Sequence, residues 1–337
     1  MIDLRSDTIT RPTKGMLEAM FNAKVGDDVL GDDNVVAELE NKIAGILGME
    51  AAVFCPSGIM ANQIAIKAHT KPGDEVICDE FSHIYRFEGG GIALNSGCSV
   101  RLVKGDRGRI KAKDVLENIN PDNVHFPVTS LVSLENTCNK GGGCCYNFND
   151  IVEINKACRE NNLKLHLDGA RLFNALAETG EKPTEHGELF DSISICLSKG
   201  LGAPVGSVLS GDRQFIHEAR RYRRSFGGGM RQAGYLAAAG IYALDNHIER
   251  LKEDHNRAKK IGNALKNMPY VSELVPVETN IIIFKLAGDV SENDFLKKLQ
   301  DNGINAVTFG PQTIRMVTHL DFTDEMLEEV IEILKNI

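Results

Sequence analysis

The chain has 337 residues, 42% of them apolar and 25% charged, which is the composition of an ordinary globular protein. Its 38 basic and 47 acidic residues leave a formal net charge of -9, so it has no basic field that would hold nucleic acid or an anionic membrane. The opening residues contain no apolar segment of signal-peptide length, and no window reaches the roughly 18 apolar residues of a membrane span. We therefore expect a cytoplasmic protein that binds neither nucleic acid nor membrane.

The eight cysteines lack the context of a secreted disulfide scaffold, and we expect reduced thiols that mostly fill the core. Cys138, Cys144 and Cys145 form the one cluster along the chain. Their spacing differs from the paired C-x-x-C of a zinc site, and vicinal cysteines do not both easily ligate one tetrahedral ion. We predict no metal site.

From about residue 35 the chain alternates helical periodicity with short apolar runs. VVAELENKIAGILG predicts an amphipathic helix, AAVFC a buried strand and SGIMANQIAIKAH a second helix. The pattern continues with the predicted strands DEVICDE, SVRLV, TSLVSLEN, LKLHLDG, SISICLS and VGSVLSG. The helix FNDIVEINKACRENN lies between two of them, and the last strand is a candidate for the antiparallel direction. Such alternation is typical of an α/β protein with a mostly parallel sheet flanked by helices.

Near residue 245 the pattern changes, because the apolar helix YLAAAGIYALDN is followed by the highly charged helix IERLKEDHNRAKKIGNALKN. The remaining residues predict strand TNIIIFKL, helix ENDFLKKLQ, strands INAVTF and TIRMVT, and helix DEMLEEVIEILKNI. We predict a large domain of residues 1–245, with an N-terminal arm of residues 1–15, and a smaller α+β domain of residues 246–337.

Two polar residues follow apolar strands in a way that predicts a shared site. Lys199 comes directly after SISICLS, and Asp168 ends LKLHLDG. Parallel strands deliver such residues to one edge of the sheet, where ligands bind. A partly desolvated lysine can attack a carbonyl group to form a Schiff base, and a buried carboxylate needs a cationic partner. Pyridoxal phosphate meets both requirements, because Asp168 would pair with its protonated ring nitrogen. Taken singly, the two residues could be a solvated lysine and a helix-capping aspartate.

Two further features favour the same cofactor. Ser57 and Gly58 open a helix directly after a strand, and backbone N–H groups at a helix start form a phosphate cradle. His83, in FSHIYRFEGGG, could lie flat on a cofactor ring with Phe87 nearby. A Ser-Gly N-cap and a structural histidine are the ordinary alternatives for each feature alone. Their chain order with the aspartate and the lysine is that of aminotransferase-like pyridoxal enzymes.

The sequence resembles the low-specificity L-threonine aldolases of the β-eliminating lyase family nearly end to end. The resemblance is carried in order by DLRSDTITRPT, VGDDVLGDD, PSGIMANQ, LENT, HLDGARLFNA, ICLSKGLGAPVGS, GGGMRQAG, AAAGIYAL and RMVTHLD. It implies a fold-type-I, pyridoxal phosphate-dependent transferase-like fold with a mostly parallel seven-stranded sheet. It also implies a homotetramer, built as a dimer of dimers with active sites shared between subunits.

The resemblance assigns roles in cofactor binding. Lys199 would form the Schiff base with the cofactor, Asp168 would partner the pyridine nitrogen, and His83 would stack on the ring. Ser57 and Gly58 would hold the phosphate.

The resemblance also assigns arginines. Arg231 would reach the phosphate of a neighbouring subunit, and Arg224 stands where the family also carries a basic residue. The substrate carboxylate would be gripped by Ser6, Arg171 and Arg315, with Arg171 also beside the cofactor. Arginine suits this role because its planar fork makes two parallel hydrogen bonds to a carboxylate.

The implied reaction is the retro-aldol cleavage of L-threonine or L-allo-threonine to glycine and acetaldehyde, which belongs to threonine catabolism and glycine biosynthesis. A base must take the β-hydroxyl proton, and His83, His125 or a water molecule that they position are the candidates. Another pyridoxal reaction is the alternative: β-elimination, racemisation or cleavage of a bulkier β-hydroxy amino acid. A protein that had lost catalysis would not be expected to retain Lys199.

The sequence departs from the family pattern at two places. The family usually has LENTHN where this chain has LENTCN, so that Cys138 replaces a histidine, and KGGGCCYNF differs from the usual proline-containing stretch. The early DDNVV replaces a more typical acidic-Pro-Thr turn. We expect these departures to affect loop shape and substrate preference and to leave the cofactor residues intact.

Overall fold

The computed structural model describes residues 1–288 and 290–337. Its strands are β1 Ile2–Asp3, β2 Ala51–Cys55, β3 Glu75–Asp79, β4 Ser99–Val103, β5 Thr129–Glu135, β6 Lys164–Gly169, β7 Ser192–Cys196, β8 Ser207–Gly211, β9 Val271–Leu274, β10 Ile281–Leu286, β11 Ile304–Asn305, β12 Val307–Gly310 and β13 Thr313–Val317. Its α-helices are α1 Lys14–Phe21, α2 Asn34–Leu47, α3 Gly58–His69, α4 His83–Arg86, α5 Ala112–Glu117, α6 Phe148–Glu160, α7 Leu172–Thr179, α8 Pro183–Leu189, α9 Arg213–Ser225, α10 Gly234–Asn246, α11 Leu251–Leu265, α12 Glu292–Asp301 and α13 Asp324–Asn336. A 3₁₀ turn covers Asp7–Ile9 and a π-helical turn covers Ile92–Ser96. None of the helices in these two ranges is long and apolar enough to cross a bilayer.

The large sheet has seven strands in the order β2-β8-β7-β6-β5-β3-β4. Only β8 runs against the others, since it pairs antiparallel with both β7 and β2. Every residue of β3, β7 and β8 is buried, as expected for strands covered by helices on both faces. The predicted seven-stranded, mostly parallel α/β sheet and the antiparallel VGSVLSG strand are confirmed.

Side-chain caps fix where the covering helices begin. The Asp33 carboxylate accepts from the backbone N–H groups of Val35 and Val36, which opens α2, and the helix ends at Gly48 with φ +66°. Ser57 caps α3 directly after β2, so the amino end of that helix lies at the carboxyl edge of the sheet.

A second sheet, with the antiparallel order β12-β13-β10-β9, lies near the carboxyl terminus and packs on its own apolar core. The predicted strand INAVTF is divided at Ala306. Its first half, β11, pairs with β1, and its second half, β12, pairs with β13. One segment therefore serves two sheets, which hydropathy alone does not reveal.

The N-terminal arm packs differently from our expectation, which placed it with the large domain. Ile2 and Leu4 lie in the core of the small C-terminal unit, and the Leu4 carbonyl accepts from the backbone N–H of Val317. The chain then crosses to the large unit, where Met16 of α1 joins the main core. The apolar alternation of the first residues carries no information about which core they enter.

Shortening Leu4 tests this packing. Leu4 is fully buried, so Leu4→Ala should lower the free energy of unfolding by roughly 2–5 kcal/mol through lost burial and a residual cavity. Leu94 is 81% exposed, and Leu94→Ala should change the free energy of unfolding by less than about 0.5 kcal/mol. Urea denaturation followed by circular dichroism compares them, and equal losses would contradict the placement of the arm.

Candidate active site

The carboxyl edge of the large sheet borders a cavity of about 320 Å³. Asp168 is the next-to-last residue of β6, and Lys199 comes three residues after β7 ends. The two strands are parallel neighbours, so both side chains reach the same cavity, as predicted. The cavity is also lined by Ser57, Gly58 and His83.

Asp168 is 2% exposed and its carboxylate accepts hydrogen bonds from neutral donors. Oδ1 accepts from the backbone N–H of Ala170 at 3.1 Å, and Oδ2 accepts from Nδ2 of Asn62 at 2.9 Å. Among the described residues, no lysine or arginine forms an ion pair with this carboxylate. A buried anion held only by neutral donors fits a cationic ring nitrogen at this place.

The start of α3 forms a close-packed cradle. The Ser57 hydroxyl oxygen accepts from the backbone N–H of Met60 at 3.2 Å, so its own proton stays available as a donor. A Cβ on Gly58 would come within 2.6 Å of the Cys196 Sγ, so only glycine allows the helix to approach β7 this closely. A hydroxyl group and free helix N–H groups in this arrangement fit a phosphate group.

His83 is the first residue of α4 and is fixed at two points. Its backbone N–H donates to Oε2 of Glu135 at 2.8 Å, and its ring Nδ1 bonds Oε1 of Glu88 at 2.9 Å. Burial alone would lower the pKa of His83, but the Glu88 hydrogen bond and the charge of Asp168 outweigh it and raise the pKa. The side chain is 27% exposed and contributes to the cavity wall.

Glu135 ends β5 and lies in register beside Asp168. Burial, together with the charge of Asp168, raises the pKa of Glu135 to about 7. Its Oε1 accepts from the backbone N–H of Asn139 at 2.9 Å. Glu135 thus positions both the His83 backbone and the loop that follows β5.

Arg171 is almost fully buried and forms a two-pronged pair with Asp7 of the N-terminal arm. Its Nε and one terminal nitrogen donate to the two Asp7 oxygens, both at 2.7 Å. Burial would raise the pKa of Asp7, but Arg171 holds it well below its usual range. Two of the three Arg171 nitrogens are therefore used by the protein itself.

Arg315 of β13 lies beside this pair with a partly unmatched charge. One terminal nitrogen donates to Oδ1 of Asn139 at 3.2 Å and the other to the carbonyl of Arg5 at 3.0 Å, while the buried Nε has no partner among the described residues. Burial and the charge of Arg171 lower the pKa of Arg315 to about 10. This cation fits a substrate carboxylate, and Ser6 follows Arg5 along the chain.

Three predicted site residues lie away from this cavity within the chain. His125 is exposed in the loop before β5, whereas the cavity lies beyond the other end of that strand, roughly 20 Å along its axis. Arg224 and Arg231 are exposed, and Arg231 pairs with Asp27 at 2.9 Å. Any role for these three residues in the site would therefore depend on another subunit, and their assignments stay predictions.

Sequence reasoning missed several residues that build the site: Asp7, Asn62, Glu88, Glu135 and Asn280. The first four occur inside segments that were recognised for a neighbouring residue. A polar or charged residue within an apolar or glycine-rich motif is the signal that could have identified them, because such residues are rarely buried without a partner.

The fold and the site define a pyridoxal phosphate-dependent enzyme of fold type I, since the lysine, the aspartate and the cradle fit the aldehyde, ring nitrogen and phosphate of that cofactor. The chain matches the family described as beta-eliminating lyase over residues 3–288 and belongs to it.

Similar proteins carry a consistent description. The chain is 42% identical to the low specificity L-threonine aldolase of Escherichia coli K12, covering 98% of this chain and 97% of that protein. It is 40% identical to the probable low-specificity L-threonine aldolase 2 of Arabidopsis thaliana, covering 100% and 97%. The solved threonine aldolase of Leishmania major matches with TM-score 0.88 at 21% identity, covering 100% of this chain and 99% of that one, and shows the shared fold.

Adding a methyl group to the cradle tests its geometry. Gly58→Ala should weaken pyridoxal phosphate binding at least about 10-fold, since the new Cβ would meet Cys196 and move the helix start by several tenths of an ångström. Titration of the apoprotein, followed by absorbance, measures the affinity. Gly58→Ala combined with Cys196→Ala should recover part of it.

Gly45→Ala is the matched control, because a Cβ there meets nothing within 4 Å on helix α2. It should leave cofactor affinity unchanged. Wild-type affinity in Gly58→Ala would contradict the cradle.

Proposed function

We propose that the protein cleaves L-threonine or L-allo-threonine to glycine and acetaldehyde. The observation that carries the proposal is the convergence of Lys199, Asp168 and the α3 cradle on one cavity, in a chain of this family. The reaction consumes threonine and supplies glycine, which places the enzyme in amino acid metabolism.

Four parts of the site would hold the cofactor. Lys199 would hold it covalently, Asp168 would pair with its ring nitrogen, Ser57 and Gly58 would bind its phosphate, and His83 would lie against its ring. When bound, pyridoxal phosphate supplies an electron sink for a breaking bond at the substrate Cα.

The carboxylate clamp would decide which bond at Cα is broken. Arg315 would offer its unpartnered Nε, and Arg171 would offer the terminal nitrogen that does not donate to Asp7. Ser6 adds a hydroxyl group from the arm. A carboxylate held at two or three points cannot rotate, so the clamp orients the Cα–Cβ bond for cleavage.

A base must accept the β-hydroxyl proton as the aldehyde forms. His83 lies in the cavity wall, with a ring nitrogen free of protein partners among the described residues. A water molecule held by His83 is the alternative within one chain, and His125 of a second subunit is the alternative between chains.

We also propose a cytoplasmic homotetramer, a dimer of dimers with shared sites. All eight cysteines are buried free thiols, which suits a reducing compartment. The loop that carries His125 exposes Val124 at 99% and Val128 at 68%, and apolar side chains in such a loop favour a second subunit as its cover. Arg224 and Arg231 would then serve a neighbouring phosphate.

Replacing the central lysine tests the proposed activity. Lys199→Ala should abolish both the visible absorption band of the lysine-bound cofactor and acetaldehyde release from L-threonine and L-allo-threonine. Lys113→Ala, at an exposed lysine of α5, is the control and should retain both. A wild-type band without acetaldehyde would point to another reaction of the cofactor, and an active Lys199→Ala variant would overturn the assignment.

Removing the clamp cation tests substrate orientation. Arg315→Leu should lower kcat/KM for L-threonine by about 10²-fold or more, because losing a buried charge partner costs roughly 2–5 kcal/mol. The loss should be much smaller for L-threonine amide, which lacks the carboxylate. Arg159→Leu, which removes a half-exposed ion pair with Asp191, is the control, and an equal loss for both substrates would count against the clamp.

A further inference from the structure

Glu88 is a buried carboxylate behind the cavity wall that the proposed reaction has not used. Its side chain is fully buried, and it accepts hydrogen bonds through both oxygens. Oε1 bonds Nδ1 of His83 and Nδ2 of Asn62, each at 2.9 Å, and Oε2 accepts from Nε2 of Gln63 at 2.6 Å. Both oxygens of this carboxylate are therefore hydrogen-bond acceptors for neighbouring side chains.

The neighbouring amides fix the direction of these bonds. Oδ1 of Asn62 accepts from the Ser194 hydroxyl at 2.7 Å, so its Nδ2 must face Glu88 and Asp168. Oε1 of Gln63 accepts from Asn95 at 3.3 Å, so its Nε2 must face Glu88. Both amides are therefore donors toward Glu88, which leaves its Oε1 as the acceptor of the His83 Nδ1 proton.

We propose that Glu88 is the positioning residue of His83: its carboxylate keeps a proton on Nδ1 and so presents Nε2 to the cavity as a proton acceptor. The bond to Nδ1 also fixes the ring, while the His83 backbone is fixed by Glu135. This inference rests on the proposed function for its catalytic meaning, although the coupling between Glu88 and His83 exists without it.

In the proposed reaction the substrate O–H bond breaks as the Nε2–H bond forms. The electron pair of the O–H bond completes the aldehyde carbonyl, and the pair of the Cα–Cβ bond stays with the carbon of glycine, which takes up one proton. His83 is transiently a cation, and Glu88 stabilises it from the opposite nitrogen. Glu88 acts through His83 and touches no reacting atom.

The charges that face His83 predict the direction of its titration. Glu88 and Asp168 favour the protonated ring, whereas Lys199 and burial oppose it. The neighbouring Glu135, with a pKa of about 7, also changes its charge in this pH range. The base form of His83 exists above its pKa. Removing the Glu88 charge lowers the pKa of His83, so the base form then persists to lower pH.

Diethyl pyrocarbonate modification measures this coupling without turnover, because the reagent attacks only unprotonated imidazole. The rate of His83 modification, read by peptide mass spectrometry across pH, should have a midpoint lower by about one pH unit or more in Glu88→Gln than in wild type. The proteins are compared at equal cofactor occupancy. The acidic limb of the kcat/KM profile should move in the same direction.

Glu75→Gln is the matched control. Glu75 is also buried and also accepts from an asparagine amide, Asn120 at 2.8 Å, but it begins β3 at the opposite edge of the sheet. It should leave the His83 midpoint unchanged. Glu88→Asp keeps the charge and should give a midpoint between wild type and Glu88→Gln, and it serves in place of Glu88→Gln if that variant does not fold.

An unchanged or raised midpoint in Glu88→Gln would overturn the proposal, and so would an equal shift in Glu75→Gln. If Glu88→Gln lowers the midpoint but the wild-type protein releases no acetaldehyde, the role of Glu88 stands and the aldolase activity is rejected. The two failures are therefore distinguishable.

Discussion

The crowding of acidic groups at the carboxyl edge of the sheet governs the arrangement around the cavity. Asp168, Glu135 and Glu88 are all buried there, and like charges in a low-dielectric setting are costly. Neutral donors stabilise these carboxylates: the Asn62 amide donates to both Asp168 and Glu88, and backbone N–H groups donate to Glu135. The raised pKa of Glu135 reflects its burial first and then the remaining repulsion from Asp168. A cationic ring nitrogen beside Asp168 would relieve it.

The buried pair of Asp7 and Arg171 joins parts of the chain that are far apart in sequence. Asp7 belongs to the arm, and Arg171 follows β6. Asn280 of the small unit donates at 3.1 Å to Oδ2 of Asp7, the oxygen that also accepts from the Arg171 Nε. Because Ile2 and Leu4 are anchored in the small core, the arm brings Asp7 to Arg171 of the large unit, and Thr8 follows in the cavity wall. The residues of the proposed carboxylate clamp thus come from both packed units, since Arg171 follows β6 and Arg315 lies on β13.

Sequence patterns predicted the strands of the large sheet and the polar residues at the strand ends. Fully buried strands appear in the sequence as continuous apolar runs, and a polar residue at the end of such a run is easy to recognise. Lys199 and Asp168 were found in this way. Asn62 and Glu88 were not found, because a polar residue in a helical or glycine-rich segment is expected to face solvent. Their burial depends on contacts with residues that are distant in sequence. The place of His125 could not be read from the sequence for a related reason: a residue close in sequence to a strand can lie at either end of it, and His125 precedes β5 whereas the cavity lies beyond its other end.

One departure from the family pattern, Cys138, lies next to the residue that contacts Arg315. Cys138, at the position where the family usually has histidine, is 3% exposed, and its thiol donates to the Glu135 carbonyl at 3.0 Å. The next residue, Asn139, contacts both Glu135 and Arg315. Asn139 therefore connects the segment that carries Cys138 to Arg315, so we expect a change in the shape of this segment to reach the proposed clamp through Asn139.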